Sequence, residues 1–498
     1  MPSIAFRLDS SNVIGNGHFY RSLNLAKAFA NIGWTTHLIT RLQPGSIVSK
    51  VAGPWHLFSL NTVAKSIEIN DSVTWFGVDE SVDATESHAI LDNLKCDWLV
   101  VDHYAATAQW LQRVRTAGTK ILVIDDEAKR QLPCDMLLNN NFGALAEYYR
   151  DLVPNSTQVL TSTHYAILAD KYQVTPNKTI SEQIDNVLIA MGGTDPNQTS
   201  LLVYRHLRSA LPQANIKIAL GQSASGLQEI KIAQSADHKL ELIIDADLFA
   251  LNQWCDIAFG ACGISAWERN VQAVPSVLIT TAENQVPGAS RLNSTGANIY
   301  LGHWNTITET AISNVLAKLT AEQRQLMSKL AASLVNPSGI DHLVKAVINN
   351  APSELTFRPA VHSDVALFYH WQLESNTRRY FRNKQTPSFT EHVTWFERIL
   401  NSKVTLLVAH FNGIACGYIR IDEPNDNNER EISILIADGF KGKKIGQKAL
   451  CSVNEQFPHL HLIAEVLPEN KASQKIFLAS GYTQKSQNMY ERRPLDVK

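Results

Sequence analysis

The chain has 498 residues, of which 45% are hydrophobic and 18% charged, and its 45 basic and 47 acidic side chains give a formal net charge of −2. This composition excludes a disordered chain, and the near-neutral charge gives no electrostatic reason to expect nucleic acid or a membrane as partner. The six cysteines form no CxxC pair, no apolar run reaches the roughly 18 residues of a membrane span, and no signal-peptide pattern is present. We therefore expect a soluble cytoplasmic protein of about three domains.

Apolar runs alternate with helical patterns up to about residue 175. SIAFRLD, THLIT, DWLVVDHY and KILVID are separated by segments such as ATAQWLQRVRTAG, which predicts parallel βα units. After the linker QVTPNKTISEQ, a second series runs through NVLIAMGG, IKIALG, KLELII, DIAFG and PSVLIT. These series predict two Rossmann-like halves, residues 1–175 and 176–350, with ligands in a cleft at the carboxyl ends of the strands.

In the first half, NVIGNGHFYRSLNLAKAF places a glycine-rich turn and a histidine just before a helical pattern. Gly15 and Gly17 permit a tight turn, which predicts His18 in the first turn of the helix, facing the cleft. A helix N-terminus disfavours the charged imidazolium, so a neutral His18 is expected, able to act as general base on a water molecule. A histidine that caps or packs locally fits the residues equally well.

In the second half, DIAFGACGISAWERN predicts a strand, a turn of small residues and a helix. Near Gly260, Gly263 and Ser265 the bare backbone amides at the start of that helix suit a diphosphate. Glu268, one turn further, is placed to accept hydrogen bonds from ribose hydroxyls, with a solvated helix residue as the alternative.

AMGGTDPNQTS has the same design, with Gly193 and Thr194 between a strand and a helix. It predicts a second lip of the phosphate site, or a tight turn with Asp195 or Thr194 as helix cap, and the two are compatible. No constellation of metal ligands accompanies these loops, so we expect chemistry without a metal.

RLDSSNVIGNGHFYRSLNLA resembles the signature of the UDP-sugar hydrolases of pseudaminic acid biosynthesis, which have the GT-B fold. The likeness extends over about the first 345 residues, through DHY, VIDDEAKRQLPCDMLLNNN, GGTDPNQTS, GACGISAWE and AENQ. It implies inverting hydrolysis at the anomeric carbon, with water attacking and UDP leaving. His18 falls on that family's catalytic histidine, and Tyr104 and Asn284 fall in strings that line its sugar site. A packed tyrosine and a loop amide are their alternatives.

The loops and the resemblance together define the expected site in the first two halves. The catalytic candidates there are His18 and Tyr104. The residues expected to bind the UDP-sugar are Gly17, Gly193, Thr194, Gly263, Ser265, Glu268 and Asn284.

Residues 354–498 have a pattern of their own. FRPAVHSDVALFYHWQ predicts a strand, a turn and a helix, and VTLLVAHFNGIACGYIRIDE predicts a hairpin that turns at Asn412 and Gly413. EISILIADGFKGKKIGQKAL predicts a strand, a basic glycine turn and a helix. We expect a mixed α/β domain.

EISILIADGFKGKKIGQKAL resembles the acetyl-CoA motif of the GNAT acyltransferases, and VLPENKASQKIFLASGY resembles their second cofactor motif. The family usually reads R/Q-x-x-G-x-G/A, whereas this chain has Lys441 first and Lys444 in place of the inner glycine; a lysine fits there if its φ is negative. A basic surface turn is the alternative. The resemblance implies that acetyl-CoA is a cosubstrate, held by Lys441, Gly442, Lys443, Lys444, Ile445, Gly446 and Asn470.

The acid and base of this domain are less well defined. Phe477 stands where many of these enzymes carry a tyrosine that protonates the leaving thiolate, so Tyr482 or Tyr490 replaces it or no dedicated acid is used. Glu431 is the candidate base, acting through water on an attacking ammonium group, with a structural edge carboxylate as the alternative. Asn470 is expected to orient either the pantetheine or the following helix.

The two resemblances together imply a bifunctional enzyme. It would acetylate a UDP-linked 4-amino-4,6-dideoxy sugar and then hydrolyse the product, UDP-2,4-diacetamido-2,4,6-trideoxy-β-L-altrose. The alternatives are a GT-B glycosyltransferase that passes the sugar to an acceptor, and a nucleotide-sugar sensor with an inactive acetyltransferase domain.

Overall fold

The computed structural model describes residues 1–61, 65–66, 68, 71–173, 178–348 and 354–494. The predicted domain boundaries at residues 175/176 and 350 lie outside them, as does part of the predicted linker. By contacts the chain divides into two compact units, Met1–Ala144 with Tyr148–Asp341, and Leu145–Glu147 with the chain from His342 onward. No helix in the described ranges is long and apolar enough to cross a membrane.

The first half of the first unit contains a sheet of parallel strands, which lie in the order β3-β2-β1-β4-β5-β6-β7. The strands are β1 (Ser3–Leu8), β2 (Thr35–Arg41), β3 (Trp55–Leu60), β4 (Trp98–Asp102), β5 (Lys120–Ile124), β6 (Met136–Asn139) and β7 (Gln158–Thr161). Its α-helices are α1 (Gly17–Asn31), α2 (Glu80–Leu94) and α3 (Ala108–Val114). The strand order reverses between β1 and β4, which is where open α/β sheets bind ligands.

The second half repeats this design with six parallel strands in the order β10-β9-β8-β11-β12-β13. The strands are β8 (Asn186–Ala190), β9 (Asn215–Leu220), β10 (Leu240–Ile244), β11 (Ile257–Gly260), β12 (Ser276–Thr280) and β13 (Asn298–His303). Its α-helices are α4 (Thr199–Ala210), α5 (Leu227–Ala236), α6 (Leu248–Trp254), α7 (Ile264–Val271), α8 (Val286–Ser294), α9 (Glu309–Lys318) and α10 (Ala321–Ala332). The next helix, α11 (Gly339–Ile348), begins in the first unit and ends in the second. Two Rossmann-like halves are thus confirmed.

The second unit contains a mixed sheet in the order β14-β15-β16-β17-β18-β20-β19. The strands are β14 (Leu355–Pro359), β15 (Thr405–Phe411), β16 (Ile414–Ile421), β17 (Glu429–Ile436), β18 (His461–Glu465), β19 (Thr483–Gln484) and β20 (Met489–Arg492). The helices are α12 (Val365–Leu373), α13 (Phe389–Leu400), α14 (Ile445–Gln456) and α15 (Lys471–Ala479). Asn412 and Gly413 both have positive φ and form the predicted hairpin turn between β15 and β16.

The parallel strands β17 and β18 separate soon after they meet. They pair only from Glu429 to Glu431, opposite His461 to Ile463, whereas β17 continues beside β16 to Ile436. The sheet therefore has a notch along the second part of β17, where backbone groups have no partner strand on the β18 side among the described residues. A notch of this kind accepts an extended ligand.

A buried ion network supports the start of the first sheet. Asp83 on α2 accepts hydrogen bonds from Arg7 Nε at 3.1 Å and Nη2 at 2.6 Å, from Arg41 Nη2 at 3.0 Å and from the Trp110 indole at 3.0 Å. Arg7 also pairs with Asp9 at 2.6 Å. Because all these side chains are buried, each depends on its partners to replace the water it has lost.

We predict that Asp83→Ala strongly destabilises the first unit. The change leaves the buried guanidinium groups of Arg7 and Arg41 short of an acceptor, which costs about 3–5 kcal/mol. Thermal unfolding followed by circular dichroism should show the midpoint lowered by at least about 5 °C. Asp79→Ala is the matched control, because the Asp79 side chain is 67% exposed and, among the described residues, forms an ion pair only with Lys65. Equal midpoints for the two variants would show that the network contributes nothing.

Candidate active sites

His18 occupies the second position of α1, as predicted. The helix begins at Gly17 after the turn that contains Gly15, whose φ of 77° is left-handed. The side chain of His18 is 11% exposed, so the imidazole is sheltered and still reachable.

The imidazole is bonded to a carboxylate, and this contact decides its chemistry. His18 Nδ1 lies 2.6 Å from Oδ1 of Asp102, the buried last residue of β4. A carboxylate accepts, so Nδ1 carries the proton and Nε2 keeps its lone pair for a reacting molecule. No role for Asp102 is predicted from the sequence, although it lies in the DHY string; the available signal was an acidic residue at the end of a buried strand.

Arg21, one turn along α1, holds Asp102 from the other side. Its guanidinium donates to both Asp102 oxygens, at 2.9 and 2.7 Å, and to Asp126 Oδ2 at 2.9 Å. Burial alone would raise the pKa of Asp102, but the charge of Arg21 and the hydrogen bonds from His18 and Arg21 outweigh it and hold that pKa well below its usual range. Asp102 is therefore ionised and able to orient His18.

Tyr104 lies against the histidine. Its ring meets the imidazole edge-on, with centroids 4.7 Å apart, and Trp75 stacks on the same tyrosine at 5.8 Å. The hydroxyl donates to Asp126 at 2.7 Å, and burial with that carboxylate raises the Tyr104 pKa well above its usual value. The Tyr104 ring is thus held in place beside His18, and its hydroxyl is protonated.

A carboxylate in the loop after β8 caps the helix that follows. Asp195 accepts hydrogen bonds from the amides of Thr199 and Ser200 at 2.9 and 2.8 Å, so the carboxylate caps the start of α4. Those helix amides are already occupied. A phosphate lip formed by this loop would therefore consist of the backbone at Gly193 and Thr194, before the cap.

The loop after β11 leaves its amides open and places a cation beneath them. The amides of Gly263, Ile264 and Ser265 have no acceptor in the described ranges. The buried guanidinium of Arg269 donates to the Ala261 carbonyl at 2.8 Å and to Ser265 Oγ at 3.2 Å. Arg269 is not predicted as a site residue from the sequence, because its position at the loop depends on the fold of α7.

Gly260 is a glycine because of this arginine. A Cβ atom there would lie 2.6 Å from Arg269 Nη1, closer than side chains approach one another. The open amides and the buried cation together form a cradle suited to a diphosphate.

The cradle and His18 lie on the same cleft of the first unit. A Cβ atom on Gly17 would lie 3.9 Å from Ile264 at the start of α7, and one on Gly193 would lie 4.0 Å from the Asn16 amide. The structure therefore brings the turns before α1 and α7 and the loop after β8 together.

Two predicted residues lie further along the second half. Glu268 on α7 is partly buried, and burial raises its pKa. Asn284 is exposed, in the 3₁₀ turn Glu283–Gln285 that precedes α8.

In the second unit, the predicted cofactor loop joins β17 to α14. Gly442 has φ of 78° and Lys444 has φ of 59°, so the expected negative φ at Lys444 is wrong. The chain needs a left-handed residue there to turn into α14, and lysine accepts the strain that glycine would avoid. The amides from Gly442 to Gly446 have no acceptor in the described ranges, and such alternating conformations turn amides toward one ligand.

The neighbouring side chains are already engaged. Lys441 pairs with Asp438, and the Lys443 ammonium lies 5.3 Å from the centre of the Phe440 ring. Asn470 Oδ1 accepts from the Ser473 amide at 3.1 Å, so this asparagine caps α15. Of the two roles expected for Asn470, the structure shows the one that orients the helix.

Phe477 and its two tyrosine neighbours fill the core beneath this loop. Phe477, Tyr482 and Tyr490 are all buried, with ring centroids 5.0 and 6.2 Å from Phe477. The Tyr482 hydroxyl donates to Asn454 at 3.1 Å, and burial raises its pKa to about 12. Tyr482 is thus committed to the core rather than placed as an acid.

Glu431 lies where β17 and β18 part, and it is held in an ion pair. Arg382 Nη2 lies 2.9 Å from Glu431 Oε1, and Arg382 Nε lies 2.6 Å from Glu465 Oε2. Neither Arg382 nor Glu465 was singled out from the sequence, because they meet Glu431 only through the sheet and the α12–α13 connection.

Glu374 connects α12 to the cofactor loop. Its carboxylate accepts from the Asp438 amide at 3.1 Å and from the Thr377 hydroxyl at 3.2 Å. Burial, with the nearby Asp438 charge, raises the pKa of Glu374 to about 7. This carboxyl therefore changes charge near neutral pH beside the loop.

Comparisons with known proteins agree with both resemblances. Residues 354–483 match the family model described as an acetyltransferase (GNAT) domain. Half of this chain is 27% identical, over 249 residues, to 80% of the UDP-2,4-diacetamido-2,4,6-trideoxy-β-L-altropyranose hydrolase of Campylobacter jejuni. This chain joins a hydrolase-like region to a GNAT domain.

The arrangement has a counterpart along its whole length. An uncharacterized protein of Methanocaldococcus jannaschii is 22% identical over 516 residues, which cover 96% of each chain. Among solved structures, MurG of Acinetobacter baumannii covers 70% of this chain and 99% of its own, with 15% identity and a TM-score of 0.47.

One group of ligand-type side chains in the GNAT domain is a salt-bridge cluster. Glu429, His461 and Glu491 converge, but the Lys485 ammonium lies 2.6 Å from Glu429 and 3.8 Å from Glu491. A lysine charge in that position already balances the carboxylates.

We predict that residue 444 controls cofactor binding through its backbone. Valine is strained at positive φ and glycine is not, so Lys444→Val should bind CoA about 5–30 times more weakly than Lys444→Gly. Isothermal titration measures both. Because both variants lack the ammonium, the comparison isolates φ. Lys443→Val and Lys443→Gly are the matched controls and should not differ in this way; equal affinities for the two residue-444 variants would contradict the prediction.

Proposed function

We propose that this protein is a bifunctional nucleotide-sugar enzyme of pseudaminic acid biosynthesis. It transfers acetyl from acetyl-CoA to a UDP-linked 4-amino-4,6-dideoxy sugar, and then hydrolyses UDP-2,4-diacetamido-2,4,6-trideoxy-β-L-altrose to UDP and the free sugar. The observation that carries the proposal is the His18–Asp102 pair at the start of α1, in a chain similar to a hydrolase of that substrate.

In the hydrolytic step, His18 is the base. A water oxygen attacks the anomeric carbon while one water proton passes to Nε2, and the bond from that carbon to the phosphate oxygen breaks with its electron pair leaving on UDP. Asp102 stabilises the imidazolium as it forms, and attack from the face opposite the leaving group inverts the configuration. Tyr104 and Asn284 contact the sugar in this proposal.

The UDP binds in the cradle of the second half. Amides at Gly193, Thr194, Gly263 and Ser265 face the diphosphate, and Glu268 accepts from the ribose. The buried charge of Arg269 balances the developing negative charge, so the proposal needs no metal ion.

In the acetyl transfer, acetyl-CoA occupies the notch beside β17, with its pyrophosphate on the amides of the loop from Lys441 to Gly446. Glu431 takes a proton from the substrate ammonium, the free amine attacks the thioester carbon, and the carbon–sulfur bond breaks. The second amine proton ends on the CoA thiolate, so the products are the amide, CoA thiol and one proton. Asn470 supports the site by capping α15.

The test is a product assay with the UDP-4-amino sugar and acetyl-CoA, following CoA thiol, UDP and the free sugar by NMR. We expect CoA release first, then UDP and the free diacetamido sugar. His18→Gln and Asp102→Asn should each lower UDP release by about 10²–10⁴-fold, because the first removes the base and the second reverses the tautomer.

Acetyl transfer by the same variants is the internal control and should be unchanged. UDP release at the wild-type rate in His18→Gln would overturn the assignment of the base. Acetylation without UDP release in the wild-type protein would instead indicate a glycosyltransferase that lacks its acceptor.

A further inference from the structure

Arg382 connects two carboxylates across the mouth of the notch. Glu431 pairs with Ile463 in the sheet, and Glu465 is two residues beyond Ile463 on β18, so both carboxylates project from the same face. The guanidinium contacts Glu431 at 2.9 Å and Glu465 at 2.6 Å. It therefore occupies the space between them where the acetyl acceptor would approach.

This contact is easily broken. The side chain of Arg382 is 63% exposed, and exposed ion pairs contribute about 0–1 kcal/mol. A second cation that reaches the two carboxylates can replace the guanidinium at little cost. Because the arginine then keeps its charge and its reach, it is free to meet an anion instead.

The segment that carries Arg382 is held in place and displays more cations. Residues 376–384, NTRRYFRNK, contain four basic residues and no acidic one. Arg378 anchors the segment by donating to Gln372 and to the Asn383 carbonyl, both at 2.6 Å. Arg382 and Lys384 are exposed on it, so the mouth of the notch has a positive rim next to an acidic pair.

We propose, on the basis of the proposed function, that Arg382 selects the acceptor of the GNAT domain. In the free protein it holds Glu431 and Glu465; the acceptor ammonium takes its place, and the released guanidinium binds the diphosphate of the same molecule. An acceptor must then carry an amine and a diphosphate together. A phosphate-free amino sugar would have to displace Arg382 from the two carboxylates, and it has no diphosphate for the released guanidinium to bind.

The test compares two acceptors in the full-length protein: the UDP-4-amino sugar and the same amino sugar without UDP. CoA release gives kcat/KM for each. Arg382→Gln should lower kcat/KM for the UDP-linked acceptor by at least about tenfold and leave it equal or higher for the free amino sugar. The preference for the UDP-linked acceptor therefore falls by at least about tenfold.

Two further variants separate this role from a structural one. Glu465→Gln should raise KM for both acceptors without changing the preference, because it weakens only the ammonium contact. Arg398→Gln, an exposed arginine on α13 outside the segment, is the matched control and should change neither value.

Three outcomes would overturn the assignment. Equal losses of kcat/KM for both acceptors in Arg382→Gln would show that Arg382 only supports the fold, and no loss for either acceptor would show that it does not bind the diphosphate. If the wild-type protein, loaded with acetyl-CoA, acetylates neither acceptor, the proposed function fails first and the assignment fails with it.

Discussion

The hydrolase-like region depends on the parallel pairing of β1 with β4. Parallel neighbours end at the same edge of a sheet, so the turn that follows β1 and the last residue of β4 must meet. This pairing places His18, at the start of α1, 2.6 Å from Asp102. The orientation of the imidazole, its tautomer and the cleft it faces all follow from that one adjacency.

Buried arginines are the recurring means by which this region holds its sites. Arg7 balances Asp9 and Asp83 beneath β1, Arg21 balances Asp102 beside the histidine, and Arg269 lies under an open glycine loop. A planar guanidinium can bind two groups at fixed angles, so it positions its partners as well as neutralising them. Arg269 differs from the other two because its hydrogen bonds among the described residues go to a carbonyl and a hydroxyl rather than to a carboxylate, which leaves its charge available to an anionic ligand.

In the GNAT domain, the notch results from the geometry of two strands. Where β17 leaves β18, its backbone groups have no partner strand on that side among the described residues, and the left-handed Lys444 turns the chain from the following loop into α14. Beside the notch, the Arg382 guanidinium lies between the carboxylates of Glu431 and Glu465. In the proposed function, the shape of the notch accommodates the cofactor and the charged side chains bind the acceptor.

Many of the strands, helices and turns of this protein could be predicted from short stretches of consecutive residues. The alternation of apolar runs and helical patterns predicted both parallel sheets, the Asn412–Gly413 pair predicted its hairpin, and the glycine turn before His18 predicted that residue's place in α1. These features depend on the periodicity and turn chemistry of consecutive residues, which a sequence displays directly. The motif strings extended the prediction to the two kinds of domain.

The tertiary structure determined which residues far apart in the chain contact each other. His18 and Asp102 are 84 residues apart, and Arg382 and Glu465 are 83 apart, so only the strand order and the helix connections make them neighbours. The left-handed φ of Lys444 was likewise imposed by the turn into α14, against the local preference of lysine. The sequence by itself determined the helices and strands and the type of each site. The packing of those helices and strands determined which residues position the side chains of each site.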